Sequence, residues 1–470
     1  MTRSGSITAD FDFAQDYYEL ESAETQQLVT LRRMIWIYFW LLILEGALRK
    51  WLVPSLSAPL LVVRDPVVLM IYFQAVRCKR FPVSGAMLAY FVLLICFILL
   101  ALVQIIMGVG GGPLVALYGL RTNFLHLPLI FILPQVFSFE DVIKLGKWVL
   151  LLSIPMAMLM VLQYKSPPNS WINAATKADA GQLTFTGGRI RPPGTFSFIT
   201  GAAHFYVLVS AFVFYGLGER VKVYPRWLIY GALLSLAVVQ PVSGSRTLVL
   251  GCGLVFASAI AFGILNPGRA SKIVVAAVLL VAVVACLSMT SFFREAVEAF
   301  MTRWDEANSS SGGVEQGLIG RFFSWFTEPF RMLSDAGMIG KGVGMGTNAA
   351  SALLTGMLVF LLAESEWSRV VLEAGPLLGF SYLFYRAWLA GSIGLRAFRA
   401  GTRRQLLPWL LSSAACLSVL TEGLSQPTNL GFMVLLSGLC LASIQDPQTA
   451  SPVWNEQHGK EDYYGSEVLS

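Results

Sequence analysis

Three charged side chains near the start of an apolar segment are the strongest candidates for chemistry in this chain. The segment reads E-S-E-W-S-R-V-V-L-E-A-G-P-L-L-G and begins at Glu364. On a helix, Glu366, Arg369 and Glu373 follow each other at intervals of three and four residues, which places them on one face. Charges that enter a membrane-length segment are costly unless they pair or act on a ligand. Either Arg369 is neutralised in a structural lock, or the carboxylates and the arginine face a reaction site at the membrane surface.

The composition predicts the elements that must position these charges. Apolar residues make up 56% of the 470 residues, and charged residues make up only 13%. Soluble domains contain about 25% charged residues, so we predict an all-α protein that crosses a membrane many times. The formal net charge of +6 is better explained as a signal of membrane topology than as a nucleic-acid surface, and we expect no nucleic-acid partner.

Cysteine and histidine are too few and too scattered to predict a metal or disulfide framework. The chain has six cysteines and three histidines, and no two of them have the spacing of a metal or disulfide pair. We therefore expect neither a metal centre nor a cofactor.

A membrane-spanning helix needs about 20 mostly apolar residues, and about twelve segments of the chain meet this requirement. With the N-terminus inside, the short cytoplasmic loops are all basic, as the positive-inside bias requires. The chain then divides into a cytoplasmic N-terminal tail, 1–33, a transmembrane domain, 34–443, and a cytoplasmic C-terminal tail, 444–470. The twelve predicted spans are 34–53, 59–76, 83–107, 114–135, 147–164, 196–216, 226–241, 245–265, 271–290, 368–391, 405–423 and 427–443.

Two long connections are predicted on the external side. They comprise residues 165–196 and the large loop 291–367, which lies between helices nine and ten. Because long loops on one side carry function more often than short turns, we expect the site to face this side. The segment 349–363 is apolar but short. We predict that it is interfacial or re-entrant, because a crossing there would place the basic loop 396–404 outside.

Arginines on the external side are exceptions to the positive-inside bias. Arg49 and Lys50 end the first span, either as anchors that reach the interface or as functional groups. Arg64 is expected to pair with its neighbour, Asp65. Arg121 lies inside a span, which costs at least ~2.5–3.5 kcal/mol on insertion scales, so it must face protein, water or a ligand. His126 either shares its cavity or is a hydrogen-bonded core residue.

Together, the external arginines predict a bound anion at the membrane surface. Planar guanidinium groups suit phosphate oxygens, and a lipid-linked pyrophosphate fits a site at this depth. The segment T-G-G-R-I-R-P-P-G-T-F, Thr186–Phe196, brings two arginines to the start of a helix, where anions bind readily. Alternatively, the Pro and Gly residues of this segment only shape a turn, and the segment binds no anion. The candidate anion-binding residues are Arg121, Arg189, Arg191, Arg246 and Arg321.

Four short elements resemble those of the O-antigen ligase and O-antigen polymerase superfamily, and they occur in the family's order. The resemblance covers about Tyr118 to Ala390. The elements are R-I-R-P-P-G-T-F before a span, S-G-S-R-T (Ser243–Thr247) before another, G-K-G-V-G-M-G (Gly340–Gly346) late in the large loop, and V-V-L-E-A-G-P-L-L-G-F (Val370–Phe380) in the following helix.

This resemblance implies a metal-independent membrane glycosyltransferase of the GT-C type in the bacterial inner membrane. Such enzymes transfer or polymerise saccharide from an undecaprenyl-pyrophosphate donor onto a glycan or lipid acceptor hydroxyl, alongside other polysaccharide assembly proteins. It also implies that arginines hold the pyrophosphate. In this chain that role falls to Arg191 and Arg246, and it extends to Arg121 and Arg321.

The family's ligases have a histidine about nine residues before the Glu of their Glu-x-Gly element. Counting back from Glu373 gives Glu364, and the large loop contains no histidine. Either Glu364 or Glu366 then serves as the base, because a carboxylate can accept the proton of an acceptor hydroxyl, or the chemistry differs. The catalytic candidates are therefore Glu364, Glu366 and Arg369.

Two other classes of protein fit the same arginines. A transporter or flippase would bind a lipid-linked saccharide without transferring it, and a non-catalytic subunit of a polysaccharide export complex would do neither. A long loop on one side and clustered carboxylates favour the enzyme, whereas transporters often consist of two related halves, and no internal repeat is visible here.

Overall fold

The computed structural model describes residues 5–57, 59–175, 190–219, 222–268, 275, 278–279, 283–287, 289–309, 320–356 and 361–445. Of these, the side chains of 5–25, 292, 303, 305–309 and 321–322 are not described. Within these ranges the regular elements are helices, as the composition predicts.

We number the α-helices of the described residues from α1 to α16. They are α1 Gly5–Ala47, α2 Arg64–Arg77, α3 Gly85–Ile106, α4 Pro113–Leu120, α5 Leu129–Val136, α6 Phe139–Lys165, α7 Ile199–Gly218, α8 Arg226–Val242, α9 Arg246–Leu265, α10 Ser291–Ser309, α11 Arg321–Arg331, α12 Leu333–Ala336, α13 Asn348–Thr355, α14 Glu366–Thr402, α15 Leu406–Thr421 and α16 Pro427–Ala442.

Seven helical segments of the described chain are long and apolar enough to cross a membrane, so the prediction of a multi-pass membrane protein is supported. Each coincides with one of the twelve predicted spans. α8, α15 and α16 are apolar but shorter, and the predicted span 271–290 lies largely outside the described residues. The seven segments are Gln26–Leu52, Pro59–Arg77, Gly85–Ile106, Pro113–Val136, Phe139–Lys165, Ile199–Gly218 and Arg246–Leu265.

α7 is the central helix, and the outer helices expose apolar side chains. α7 is buried along almost its whole length, because α6, α8, α9, α15 and α16 all pack against it. In contrast, α3 exposes Leu88, Ile95, Leu99 and Ile106. A contiguous apolar surface of this kind is unfavourable in water but suits lipid.

Two segments differ from or refine the predicted organisation. α1 runs without interruption from Gly5 to Ala47, so the helix of the first span extends back into the predicted N-terminal tail, 1–33. The apolar segment 349–363 contains the eight-residue helix α13, which ends at Gly356 with φ of 72°. Eight residues extend only about 12 Å, so α13 is too short to cross a bilayer.

α14 is broken near its start, and this corrects the predicted single span 368–391. Gly375 has φ 75° and ψ 171°, and Pro376 follows it. A Cβ at Gly375 would lie 2.4 Å from the Met338 carbonyl oxygen, so only glycine fits. The short first segment, 366–374, folds back on the long second segment, since the Nη1 atom of Arg386 lies 3.0 Å from Oε1 of Glu366. In a straight helix these residues would be about 30 Å apart.

α15 and α16 leave a recess at one end of the bundle. Each has 16 residues and extends about 24 Å, less than the ~30 Å hydrocarbon core. α15 lies antiparallel to α14, with Trp409 against Gly401 and Val419 beside Arg386. From Arg386, α14 continues about 16 Å further to Gly375. The connection between α15 and α16 therefore lies near the level of Arg386, well short of the level that α14 reaches at Gly375.

We call the end of the bundle that contains this recess the polar end. There α1 ends and α2, α7 and α16 begin, since Arg49 contacts Ser197, Thr200 contacts Gln426, and Arg64 contacts Pro427. We call the other end, where α7 ends and α6 and α15 begin, the opposite end.

Candidate functional site

The first buried charge cluster at the polar end comprises Glu366, Arg369, Glu373 and Arg386, and we call it the α14 cluster. Arg369 donates from Nε and Nη2 to both carboxylate oxygens of Glu366 and from Nη1 to Glu373, each at 2.8 Å. Arg386 donates from Nη1 to Glu366 at 3.0 Å. The predicted placement of the first three charges on one face is confirmed. Two carboxylates balance two guanidinium groups, so the α14 cluster is formally neutral.

The glycine-rich segment Gly340–Gly346 packs against the α14 cluster. The Gly346 amide donates to Oε1 of Glu373 at 2.9 Å, and a Cβ at Gly346 would lie 2.4 Å from Cγ of Arg369. Gln104 of α3 joins the two elements, because its Nε2 donates to the Glu373 carbonyl and its Oε1 accepts from the Val343 amide. Glycine is required where backbone approaches this closely.

The α14 cluster also holds the connection between α15 and α16. Arg386 donates from Nε to the Val419 carbonyl at 2.8 Å and from Nη2 to the Glu422 carbonyl at 2.9 Å. These carbonyls lie at the end of α15, where a helix lacks its own donors. The Glu422 side chain lies 2.8 Å from Nε2 of His204 on α7. The cluster therefore fixes the floor of the recess relative to α7.

The second buried cluster comprises Glu45, Arg49, Lys50 and Arg64. Arg64 donates from Nε to Glu45 at 3.0 Å, and Nη1 of Arg49 lies 3.7 Å from Glu45. Lys50 donates to the Gly194 and Phe196 carbonyls at 2.7 Å. Arg49 and Lys50 are only 5% and 4% exposed, so they do not reach the interface as anchors. Among the described residues, two guanidinium groups, those of Arg49 and Arg64, lie within 4 Å of the Glu45 carboxylate, so this pairing leaves one guanidinium charge unbalanced there.

The expected pair between Arg64 and Asp65 is wrong. Adjacent residues on a helix point in directions about 100° apart, so Arg64 faces α1, whereas Asp65 faces the turn after α4. There Asp65 accepts hydrogen bonds from Arg121 and lies 3.1 Å from Nε2 of His126. Arg121 and His126 thus share one carboxylate. The guanidinium of Arg121 also stacks on Tyr118, 4.9 Å from the ring centroid.

A chamber of about 110 Å³ lies beside the second cluster. α7 and α16 both begin at its wall, and within the described residues neither helix has a side-chain cap at its N-terminus. Uncapped N–H groups at a helix start attract anions. The lining residues are Glu45, Arg49, Leu61, Tyr118, Ser197, Phe198, Thr200, Asn348, Ala349, Ala352, Ser425, Gln426, Pro427 and Thr428.

The other predicted site residues occupy different surroundings. Glu364 is exposed just before α14. Arg191 is half-buried, and its Nε is buried without a hydrogen bond to any described residue. Arg246 is half-buried at the first residue of α9. Arg189 lies outside the described residues, as does the side chain of Arg321, whose backbone begins α11.

Three residues at the site are not among the predicted catalytic or anion-binding residues, although the sequence singled out Arg49 as either an anchor or a functional group. Arg386 is 1% exposed and binds the floor of the recess. The sequence feature that could have identified Arg386 is its position as a lone arginine in the apolar run F-Y-R-A-W, which is costly unless the arginine is paired. Glu45 and Arg49 line the chamber, and their signal was a Glu four residues before an Arg at the end of the first span.

No protein-family model matches the chain, and no curated protein matches it significantly.

Proposed function

We propose that this protein is a membrane glycosyltransferase of the O-antigen ligase or polymerase type. It would transfer or polymerise saccharide from an undecaprenyl-pyrophosphate donor onto an acceptor hydroxyl. The reaction would occur at the external face of the bacterial inner membrane, with both termini cytoplasmic. One observation carries the proposal: a chamber lined by Arg49 and by the starts of α7 and α16 lies inside the helical bundle.

Charge and depth both support a lipid-linked anion as the ligand. Among the described residues, Arg49 and Arg64 share the single carboxylate of Glu45, whereas the α14 cluster has one carboxylate for each guanidinium group. Arg49 lines the chamber together with the starts of α7 and α16, and guanidinium and helix N-termini both favour phosphate. A chamber within the bundle suits the headgroup of a lipid whose chain stays in the membrane. Arg121 lies next to the chamber, behind Tyr118.

The remaining predicted arginines would bind the leaving pyrophosphate from the loops and helix starts around the chamber. Arg191 supports this role because its buried Nε is unused by described residues. In this proposal Arg246, Arg189 and Arg321 contribute further positive charge, which stabilises the leaving group as its bond to the sugar breaks.

Glu364 is the better base of the two candidates. Both carboxylate oxygens of Glu366 already accept hydrogen bonds from arginine, which disfavours protonation. Glu364 is exposed. The acceptor hydroxyl would lose its proton to Glu364 and bond to the anomeric carbon, while the bond from that carbon to pyrophosphate breaks with its electron pair. Glu366 and Arg369 would then position the site rather than react.

The test is saccharide transfer by the purified protein in nanodiscs, with lipid-linked donor and acceptor from the native membrane. We expect undecaprenyl pyrophosphate to be released as a new glycosidic bond forms. Glu364→Gln should lower turnover by ~10²–10⁴-fold, the typical contribution of a general base, and should keep donor binding. Arg403→Gln, at the exposed opposite end of α14, is the matched control. If wild type binds donor but forms no bond with any native acceptor, the protein is a carrier or export subunit instead.

A further inference from the structure

His204, on the second turn of α7, lies between two oxygen atoms that approach its ring nitrogens. Its Nδ1 lies 2.7 Å from the Thr200 carbonyl oxygen, and its Nε2 lies 2.8 Å from Oε1 of Glu422. The imidazole is buried, and the Phe432 ring of α16 stacks on it with 5.9 Å between the centroids. The Glu422 side chain is 17% exposed, so the pair has access to solvent.

These two contacts require a proton that the pair can lose. A carbonyl oxygen only accepts, so Nδ1 carries a proton. Nε2 and the Glu422 oxygen also need a proton between them, on either atom, because two lone pairs at 2.8 Å would repel each other. Neutral imidazole has one N–H, and an ionised carboxylate has none. The pair therefore holds one proton more than neutral histidine and ionised glutamate, and loss of that proton breaks the contact.

The charged group that faces the imidazole is the Glu422 carboxylate. At this end, the other helices packed on α7 contribute Arg246 at the start of α9, half-buried, and Lys165 at the end of α6, exposed. α8 has its one charged residue at the opposite end, and α15 and α16 have none. Arg386 donates to the Glu422 carbonyl, not to its carboxylate. The proton is therefore set by the histidine and the glutamate together.

The pair holds one wall of the chamber against α7. Glu422 begins the connection between α15 and α16, and residues 425–428, which follow it, line the chamber. The Glu422 carboxylate also accepts from Nδ2 of Asn429 at 3.1 Å, and Gln426 accepts from the Thr200 hydroxyl at 3.2 Å. Two contacts thus join the connection to α7, and the one through Glu422 depends on a proton.

We infer that His204 and Glu422 position this wall of the chamber through one shared proton, so that the connection is held against α7 at low pH and released as the pH rises. Both are positioning residues, and neither lines the chamber. Because the connection borders the chamber, the same proton controls the affinity for the anion, a consequence that rests on the proposed function.

The test is hydrogen–deuterium exchange of the purified full-length protein in nanodiscs at about pH 5 and about pH 9, which bracket the ordinary pKa of histidine, about 6.5. The readout is a peptide covering 422–430, in which the amides of Glu422, Gln426 and Leu430 are hydrogen-bonded. After correction for intrinsic exchange rates, we expect its protection in wild type to fall at least about tenfold at the higher pH, since a hydrogen bond to a charged group is lost.

Two variants should abolish this pH response. In Glu422→Gln the amide donates to unprotonated Nε2, and in His204→Gln the amide donates to the carboxylate, and neither amide titrates. Glu140→Gln is the matched control, because it removes an exposed carboxylate at the opposite end, and it should respond as wild type does. No response in wild type, or a response that persists in both Gln variants, would overturn the inference. Equal loss of protection in residues 207–214 of α7 would also overturn it, because the whole bundle would then respond.

Binding of undecaprenyl diphosphate at the same two pH values separates this inference from the proposed function. We expect the affinity of wild type to fall about tenfold more between them than that of Glu422→Gln, by the same lost hydrogen bond. The probe ionises equally in both experiments, so the difference reports the protein. Equal pH dependence in the two proteins would contradict control of the chamber by this proton. Absence of binding at both pH values would remove the proposed function and leave the positioning role to the exchange result.

Discussion

The two ends of the bundle differ in how deeply they bury basic side chains. Most described basic side chains at the opposite end are exposed to solvent, whereas five at the polar end are buried and bonded to carboxylates or carbonyls. The exposed set is Arg77, Lys79, Arg80, Lys144, Lys147, Lys222, Arg226, Arg396, Arg399, Arg403 and Arg404, and the buried set is Arg49, Lys50, Arg64, Arg369 and Arg386. Exposed cations cost nothing to solvate and fit a topology signal, whereas buried cations must be compensated.

A second difference lies within the polar end. The α14 cluster balances its charges, so it is suited to fixing the recess floor. Within the described part of the chain, the second cluster has two guanidinium groups beside Glu45, and Arg49 of this cluster lines the chamber. A buried cation that also borders a cavity can bind an anionic ligand. The proposed function therefore assigns an anionic ligand to Arg49 and a positioning role to the α14 cluster.

The largest expected effect comes from breaking the α14 cluster. Arg369→Gln leaves Glu366 and Glu373 buried with too few partners, and removing one partner of a buried ion pair typically costs ~3–5 kcal/mol. The free energy of unfolding, measured by denaturant titration in mixed micelles, should fall by that amount.

Arg32→Gln is the matched control at the opposite end. Arg32 pairs with Asp141 at 3.1 Å but is 36% exposed, so its loss should cost only ~0–1 kcal/mol. Equal losses for the two variants would show that burial does not distinguish the two ends.

A smaller effect is expected from the glycine packing beside the chamber. A Cβ at Gly119 would lie 2.4 Å from Cα of Gly344, so Gly119→Ala should cost ~1–3 kcal/mol by overpacking. Gly253 of α9 has nothing within 4 Å of such a Cβ. Gly253→Ala should therefore stabilise the helix by ~0.5–1 kcal/mol. The same titration measures both, and a change of the same sign in both variants would contradict the close approach of α4 to the glycine segment.

Local patterns in the sequence predicted part of this architecture. The apolar segments gave helices at the expected places, and the intervals of three and four residues correctly predicted that Glu366, Arg369 and Glu373 meet. These predictions depend only on helical geometry within one segment.

Contacts between segments could not be predicted in this way. Gly375 folds α14 back, so Glu366 meets Arg386 twenty residues later, which no helical interval predicts. Arg64 was predicted to pair with its neighbour Asp65, but the two side chains leave the helix in different directions, and Arg64 points toward Glu45 on α1. The burial of Arg49 could not be predicted from the sequence either, because a cation at the end of a span is equally consistent with an anchor at the membrane interface.

The most direct test of the account is the binding of undecaprenyl diphosphate to wild type, Arg49→Gln, Arg49→Lys and Arg403→Gln in nanodiscs. We predict that Arg49→Gln weakens binding by about 10–100-fold, the value of a hydrogen bond to a charged group. Arg49→Lys should bind with intermediate affinity, because it keeps the charge but loses the planar fork, and Arg403→Gln should match wild type. Equal affinity for Arg49→Gln and wild type, with all variants folded, would contradict the assignment of the chamber as the anion site.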